Sequence, residues 1–147
     1  GTGLWPDAAR QVRPVRGQAT AFAAARQRGA LTLPVSQGGY VTPAVDGVHW
    51  TGGTAQRGDT DPAPRTGDDQ RNARRLTALW PGHPDPDPLQ RFVAIRATTA
   101  DRIPCTDNLA PGLWMNVGHG SHGLMTAPLS GWILARRVLR ATAAARD

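Results

Sequence analysis

The residues best suited to hold an electron-rich ligand cluster in Gly118-His119-Gly120-Ser121-His122-Gly123-Leu124. Three glycines over six positions let the main chain approach a ligand closely and enter the left-handed region. A helix after this bend directs its free N–H groups and positive dipole end at it, which favours an anion or an electron-rich ring. A tight strand-to-helix turn that serves only the fold is the other reading this composition leaves open. His119 and His122 raise the question of a metal. No carboxylate or thiolate stands beside them, and His49 and His83 lie far off in sequence, so no metal site is expected. Cys105, the single thiol, has no histidine near it in sequence, and nucleophilic catalysis is not expected of it.

Such a bend needs a strand before it and a helix after it. Leu113-Trp114-Met115-Asn116-Val117 reads as a short apolar strand. The helix is expected from about Ala127 to Ala144, with Thr126 as its cap, Pro128 in the first turn and arginines towards the far end. Further upstream, Gln11 to Phe22 has sheet character, and Ala23 to Arg28 reads as a helical turn ended by Gly29. Gly39 to Pro43 and Val48 to Thr54 flank an Asp46-Gly47 pair and predict a β-hairpin. Arg57 to Arg65 reads as loop. A helix is expected from about Gly67 to Leu79, capped by Thr66, with Asp68 and Asp69 facing the dipole and Ala73, Leu76 and Trp80 as its buried stripe. Pro81, Pro84, Pro86 and Pro88 stop it, and Arg91 to Thr98 alternates as a strand. Trp114 and Trp132 read as packing residues. Strands and helices mix without repeated strand–helix units, which predicts an α+β fold.

Composition narrows the classes. The chain has 147 residues, the size of one domain, and a formal charge of +6. All 17 basic residues are arginine and all 11 acids are aspartate, a pattern that reads as genomic bias because phosphate binding gives no reason to lose glutamate. The sequence pI near 11.3 favours polyanions, yet the arginines are scattered and densest only at Arg71/Arg74/Arg75 and Arg136/Arg137/Arg140. Charge by itself therefore does not establish nucleic-acid binding. One cysteine excludes an intrachain disulfide framework. No apolar run approaches the ~18–20 residues that span a bilayer. The start, Gly1 to Pro6, has neither a basic nor an apolar leader region, so a cytoplasmic protein without a membrane partner is the expectation.

Five segments in a fixed order carry a family resemblance. Arg96-Ala97-Thr98-Thr99-Ala100-Asp101-Arg102-Ile103-Pro104, followed by Gly118 to Leu124 and Met125-Thr126-Ala127-Pro128-Leu129, resembles the C-terminal part of FAD-dependent oxidoreductases of the D-amino-acid-oxidase and glycine-oxidase type. Val15 to Gln18, Gly39 to Pro43, and Gly53 to Asp61 with Asp69 and Asn72 resemble one branch more closely. That branch is the oxidoreductase half of the bifunctional tRNA enzymes that make 5-methylaminomethyl-2-thiouridine.

The resemblance implies FAD as cofactor and a carboxymethyl-bearing amine as substrate, carried in the tRNA branch on the wobble uridine. It implies that a hydride leaves the carbon between nitrogen and carboxylate for the flavin, and that water then cleaves the imine. By position, Arg96 matches the family arginine that pairs with the substrate carboxylate. Gly118, Gly120, Ser121, His122, Gly123, Leu124 and Met125 match the flavin-contacting turn, with His122 standing where the branch more often has arginine. Tyr40 matches a substrate-facing position, with hairpin packing as the alternative. Asp101 and Pro104 are read as turn-shaping, and no residue is assigned a catalytic role.

On this reading, residues from about 11 to 95 contribute an antiparallel or mixed substrate-binding sheet with a capping helix. Those from about 96 to 147 contribute the last strand, glycine-rich loop and C-terminal helix of a flavin-binding domain. The family's FAD-binding half opens with Gly-x-Gly-x-x-Gly after a strand and an acid further on, and neither that spacing nor that context appears near the N-terminus, so the chain reads as a C-terminal fragment of a larger flavoenzyme. FAD is then held with a missing N-terminal half or a separate chain, and tRNA is a possible partner. Two alternatives stay open: a small-amine, glycine or D-amino-acid oxidoreductase of the same family, and a non-catalytic RNA-binding or interaction module.

Overall fold

The computed structural model describes residues 12–24, 31–81 and 87–144. The helical turn expected at Ala23 to Arg28 lies almost wholly outside them. The described elements are β1 (Val12–Ala23), β2 (Val35–Ser36), β3 (Tyr40–Val41), β4 (Val48–Gly52), β5 (Gln56–Arg57), α1 (Thr66–Leu79), β6 (Pro88–Thr99), β7 (Cys105–Ala110), β8 (Leu113–Val117) and α2 (Gly123–Ala144). This is an α+β fold. The chain divides into two compact units, one running Arg16–Ile95 and the other joining the residues up to Val15 with those from Arg96 onward. Among the described residues, no helix is long and apolar enough to cross a membrane.

The main sheet has the order β2-β3-β4-β1-β5, with β6 also paired to β1. The expected hairpin forms: Tyr40 pairs with Gly52 and Val41 with Thr51, antiparallel, and Val45 bridges Val48 across the Asp46-Gly47 turn. Side chains alternate along a strand, so Arg16, Gln18, Thr20 and Phe22 of β1 share one face. All four are fully buried. The face is apolar at one end, where Phe22 joins Val41 and Leu76, with Leu31, Ala73, Leu79 and Trp80 packed around them.

At the other end it is polar. The Arg16 guanidinium pairs with Asp68, and Gln18 donates to Asp69 at 2.8 Å. Thr20 also donates to Asp69, at 2.9 Å, and Asn72 donates to the Gln18 carbonyl at 3.0 Å. Buried polar groups are stable only when hydrogen-bonded, and this end of α1 supplies the partners.

Two expectations for α1 are corrected. The helix starts at Thr66, with Arg65 before it and no side-chain cap. Asp68 and Asp69 lie in the first turn as expected, and they are also buried partners of β1. The buried stripe is Asp68, Asp69, Asn72 and Leu76, with Ala73 and Trp80 flanking it.

In the unit from Arg96 onward, β7 and β8 form an antiparallel hairpin pairing Cys105 with Val117 and Thr106 with Asn116. The strand Cys105–Ala110 was not expected. Helix α2 begins at Gly123, four residues earlier than expected, because Met125 and Thr126 already donate to the His122 carbonyl. Pro128 therefore lies inside the helix. Trp132 is not a core residue: it is 57% exposed, with the Arg136 guanidinium 4.7 Å from its ring centre.

Candidate functional site

Strand β8 ends at Val117, and the chain turns at Gly118 (φ 83°) and Gly120 (φ 55°) before entering α2. Both angles lie in the left-handed region that L side chains rarely adopt. Space is also lacking. A Cβ on Gly118 would lie 2.7 Å from Thr99 Cγ2, and one on Gly120 would lie 3.3 Å from Thr98 Cγ2. The bend is stitched to the end of β6, since Gly120 N–H donates to the Ala97 carbonyl at 3.0 Å and His119 bridges Thr98.

The amides of the bend divide into two sets. His122 N–H donates to the His119 carbonyl, and Met125 and Thr126 N–H donate to the His122 carbonyl, each at 3.0 Å. With Gly120, these amides are used within the fold. Among the described residues, Ser121, Gly123 and Leu124 N–H find no intrachain acceptor. They are the unsatisfied donors of a helix start. Among the described residues the row stays open, for Ser121 and His122 are exposed and Leu124 and Met125 are 98% and 79% exposed.

Arg96 lies in the same unit, and its Nη1 donates to Ser121 Oγ at 2.9 Å. Two sequence-singled residues from separate motifs are thus brought together. Asp101 shapes the turn between β6 and β7: its carboxylate accepts Ile103 N–H at 3.0 Å while Arg102 takes φ 65°. The Ile103 amide, with the Thr99 hydroxyl, holds the Asp101 carboxyl below its ordinary value. Burial pushes the Cys105 thiol up, the opposite of what a thiolate nucleophile needs.

Tyr40 belongs to the other unit, on β3. It is 37% exposed, and its ring lies so close over Gly52 that a Cβ there would stand 3.0 Å from the phenol oxygen. Apart from Val15, the motif residues tied to the tRNA branch also fall in this unit, where they carry the fold. Asp69 and Asn72 are buried against β1, while Asp59 and Asp61 both accept hydrogen bonds from Arg65.

Sequence reading missed Thr98 and Thr99, whose methyl groups confine the two left-handed glycines. A β-branched pair two strands ahead of a glycine bend was the available signal. Among the described residues no three His, Cys, Asp or Glu side chains converge as a metal site.

The chain belongs to the FAD dependent oxidoreductase (DAO) family, which matches residues 1–137. Two of its relatives are tRNA 5-methylaminomethyl-2-thiouridine biosynthesis bifunctional proteins MnmC. That of Chromohalobacter salexigens is 32% identical over 170 residues, covering 90% of this chain and 24% of the relative. That of a Caulobacter species is 39% identical over 142 residues, covering 92% and 23%. The chain thus spans about a quarter of the length of these curated relatives.

Among solved structures, glycine oxidase from Geobacillus kaustophilus superposes with a TM-score of 0.76 at 25% identity, over 88% of this chain and 36% of that one. Iminodiacetate oxidase from a Chelativorans species shares the fold, with a TM-score of 0.74 at 21% identity, over 88% and 36% of the two chains.

Proposed function

We propose that this chain is the substrate- and flavin-facing portion of an FAD-dependent amine oxidoreductase acting on the carboxymethylaminomethyl group of tRNA wobble uridine. The observation that carries the reading is the Arg96–Ser121 hydrogen bond, which sets a carboxylate-binding cation at the rim of the open amide row. The residues present fit the cofactor: Ser121, Gly123 and Leu124 offer free donors, and the clearance at Gly118 and Gly120 leaves room for main chain alone.

Bound FAD supplies the oxidising ring. This chain's residues hold and orient. The three amides would hold the edge of that ring where negative charge collects, and fixed donors of this kind stabilise developing charge without reorganising. Arg96 takes the substrate carboxylate, a charge-assisted and potentially bidentate pairing. Tyr40 lines the substrate side. Residues 96–147 supply the cofactor contacts and residues 11–95 the substrate sheet. Further polypeptide, continuous with this chain or separate, cradles the remainder of the cofactor.

Relatives named for tRNA thiouridine synthesis support the tRNA substrate. The glycine oxidase superposition favours a second reading, oxidation of glycine or another small amine. The test uses a polypeptide that joins this chain to a nucleotide-binding region, loaded with FAD under anaerobic conditions. Bleaching of the flavin by tRNA bearing carboxymethylaminomethyl-uridine, and not by glycine or sarcosine, is the expected result. Bleaching by the small amines alone selects the second reading. Salt-dependent tRNA binding without any flavin spectrum selects a non-catalytic RNA-binding module.

A further inference from the structure

We infer that His119 is the positioning residue of the glycine-rich bend, a rigid strut that fixes where the open amides point. Its ring spans two elements. Nε2 lies 3.1 Å from Asn116 Oδ1 near the end of β8, and Nδ1 lies 2.9 Å from Thr126 Oγ1 in the first turn of α2. The Thr126 hydroxyl in turn donates to the His122 carbonyl at 3.0 Å, the same oxygen that accepts the Met125 and Thr126 amides. Asn116, His119, Thr126 and His122 therefore form one continuous chain of hydrogen bonds from strand to helix, and Ser121, Gly123 and Leu124 lie between its anchor points.

The residue type follows from the task. A bend with two left-handed glycines has many conformers to lose, so something outside its own backbone must choose one. Imidazole is planar and carries hydrogen-bonding atoms on two sides of a rigid ring, so a single side chain reaches both elements. The two histidines of the motif thus part roles. His119 is turned into the fold and bonded at both nitrogens, while the exposed His122 side chain makes no hydrogen bond among the described residues. The consequence for cofactor binding rests on the proposed function. The strut itself does not.

Amide exchange on the 147-residue chain without cofactor tests the strut. His119→Ala and Thr126→Val should each speed exchange at the His122, Met125 and Thr126 amides about tenfold, the loss of one hydrogen bond of ordinary strength. Thr126→Ser should stay near wild type. Exchange at Phe22 and Leu76, in the other unit, reports whether a variant still folds. The double variant should be no worse than His119→Ala, because both remove one chain of bonds.

Unchanged exchange at the three amides in a folded His119→Ala protein, or fully additive effects, overturns the inference. In the FAD-loaded polypeptide, His119→Ala should weaken FAD binding about tenfold by flavin fluorescence, again one bond's worth. Wild-type affinity there, despite loosened amides, overturns the positioning role. Failure of the wild type to bind FAD instead counts against the proposed function alone.

Discussion

Arg96 and Ser121, 25 residues apart, are joined by a 2.9 Å hydrogen bond from guanidinium to hydroxyl. The contact ties the end of β6 to the bend that opens α2. It also holds the guanidinium at the side chain of Ser121, one of the three residues whose amides are open.

Arg96→Ala in the complete FAD-loaded enzyme should raise KM for the carboxymethyl substrate, with a loss of about 2–5 kcal/mol in kcat/KM, as for removal of a desolvated charge partner. Arg96→Lys keeps the charge but not the planar fork and should recover only part of it. Ser121→Ala should have a smaller effect, since it removes a positioning contact and leaves the cation. Steady-state kinetics check all three, and equal effects of Arg96→Ala and Ser121→Ala would show that the charge is not used.

Gly118→Ala combines a left-handed φ with a 2.7 Å approach to Thr99 Cγ2. The conformational part costs about 1–2 kcal/mol and the overpacking a further ~1–3 kcal/mol. Urea unfolding should show the sum. Adding Thr99→Ser removes the offending methyl, keeps the hydroxyl that bonds the Ile103 carbonyl, and should restore the steric part only.

Asp68→Asn leaves Arg16 buried without its carboxylate and should destabilise the chain by about 3–5 kcal/mol. Burial raises the Asp68 carboxyl, but hydrogen bonds from Arg16, Gln56 and Arg71 outweigh it and hold the group below its ordinary value. A depressed folded pKa contributes stability that is complete above the unfolded value of ~3.9 and is lost as pH falls through the folded one. Acid titration should therefore show wild-type stability falling below about pH 4, and the Asn variant should lack that component.

Sequence made some of this molecule legible because its signals were local. The Asp46-Gly47 hairpin and the Gly118–Leu124 bend announce themselves through residues that tolerate positive φ, and both form where expected. The polar core was illegible for the opposite reason. Asp68 and Asp69 look like ordinary first-turn acids until Arg16, Gln18 and Thr20, some fifty residues away, are seen to bond them. Strand β7 carries Thr106-Asp107-Asn108, which locally favour turns, and only its pairing with β8 makes it a strand. Thr98 and Thr99 matter through their contact with two glycines, a fact of packing that periodicity does not carry.

Hydrogen–deuterium exchange across residues 117–126 of the complete enzyme, with and without FAD, probes the cofactor contact most directly. Slowed exchange at Ser121, Gly123 and Leu124 on FAD loading, largely lost in Gly118→Ala, is the expected result. Unchanged exchange at these three amides, with protection appearing elsewhere in the enzyme, would contradict the assignment of this bend to the flavin.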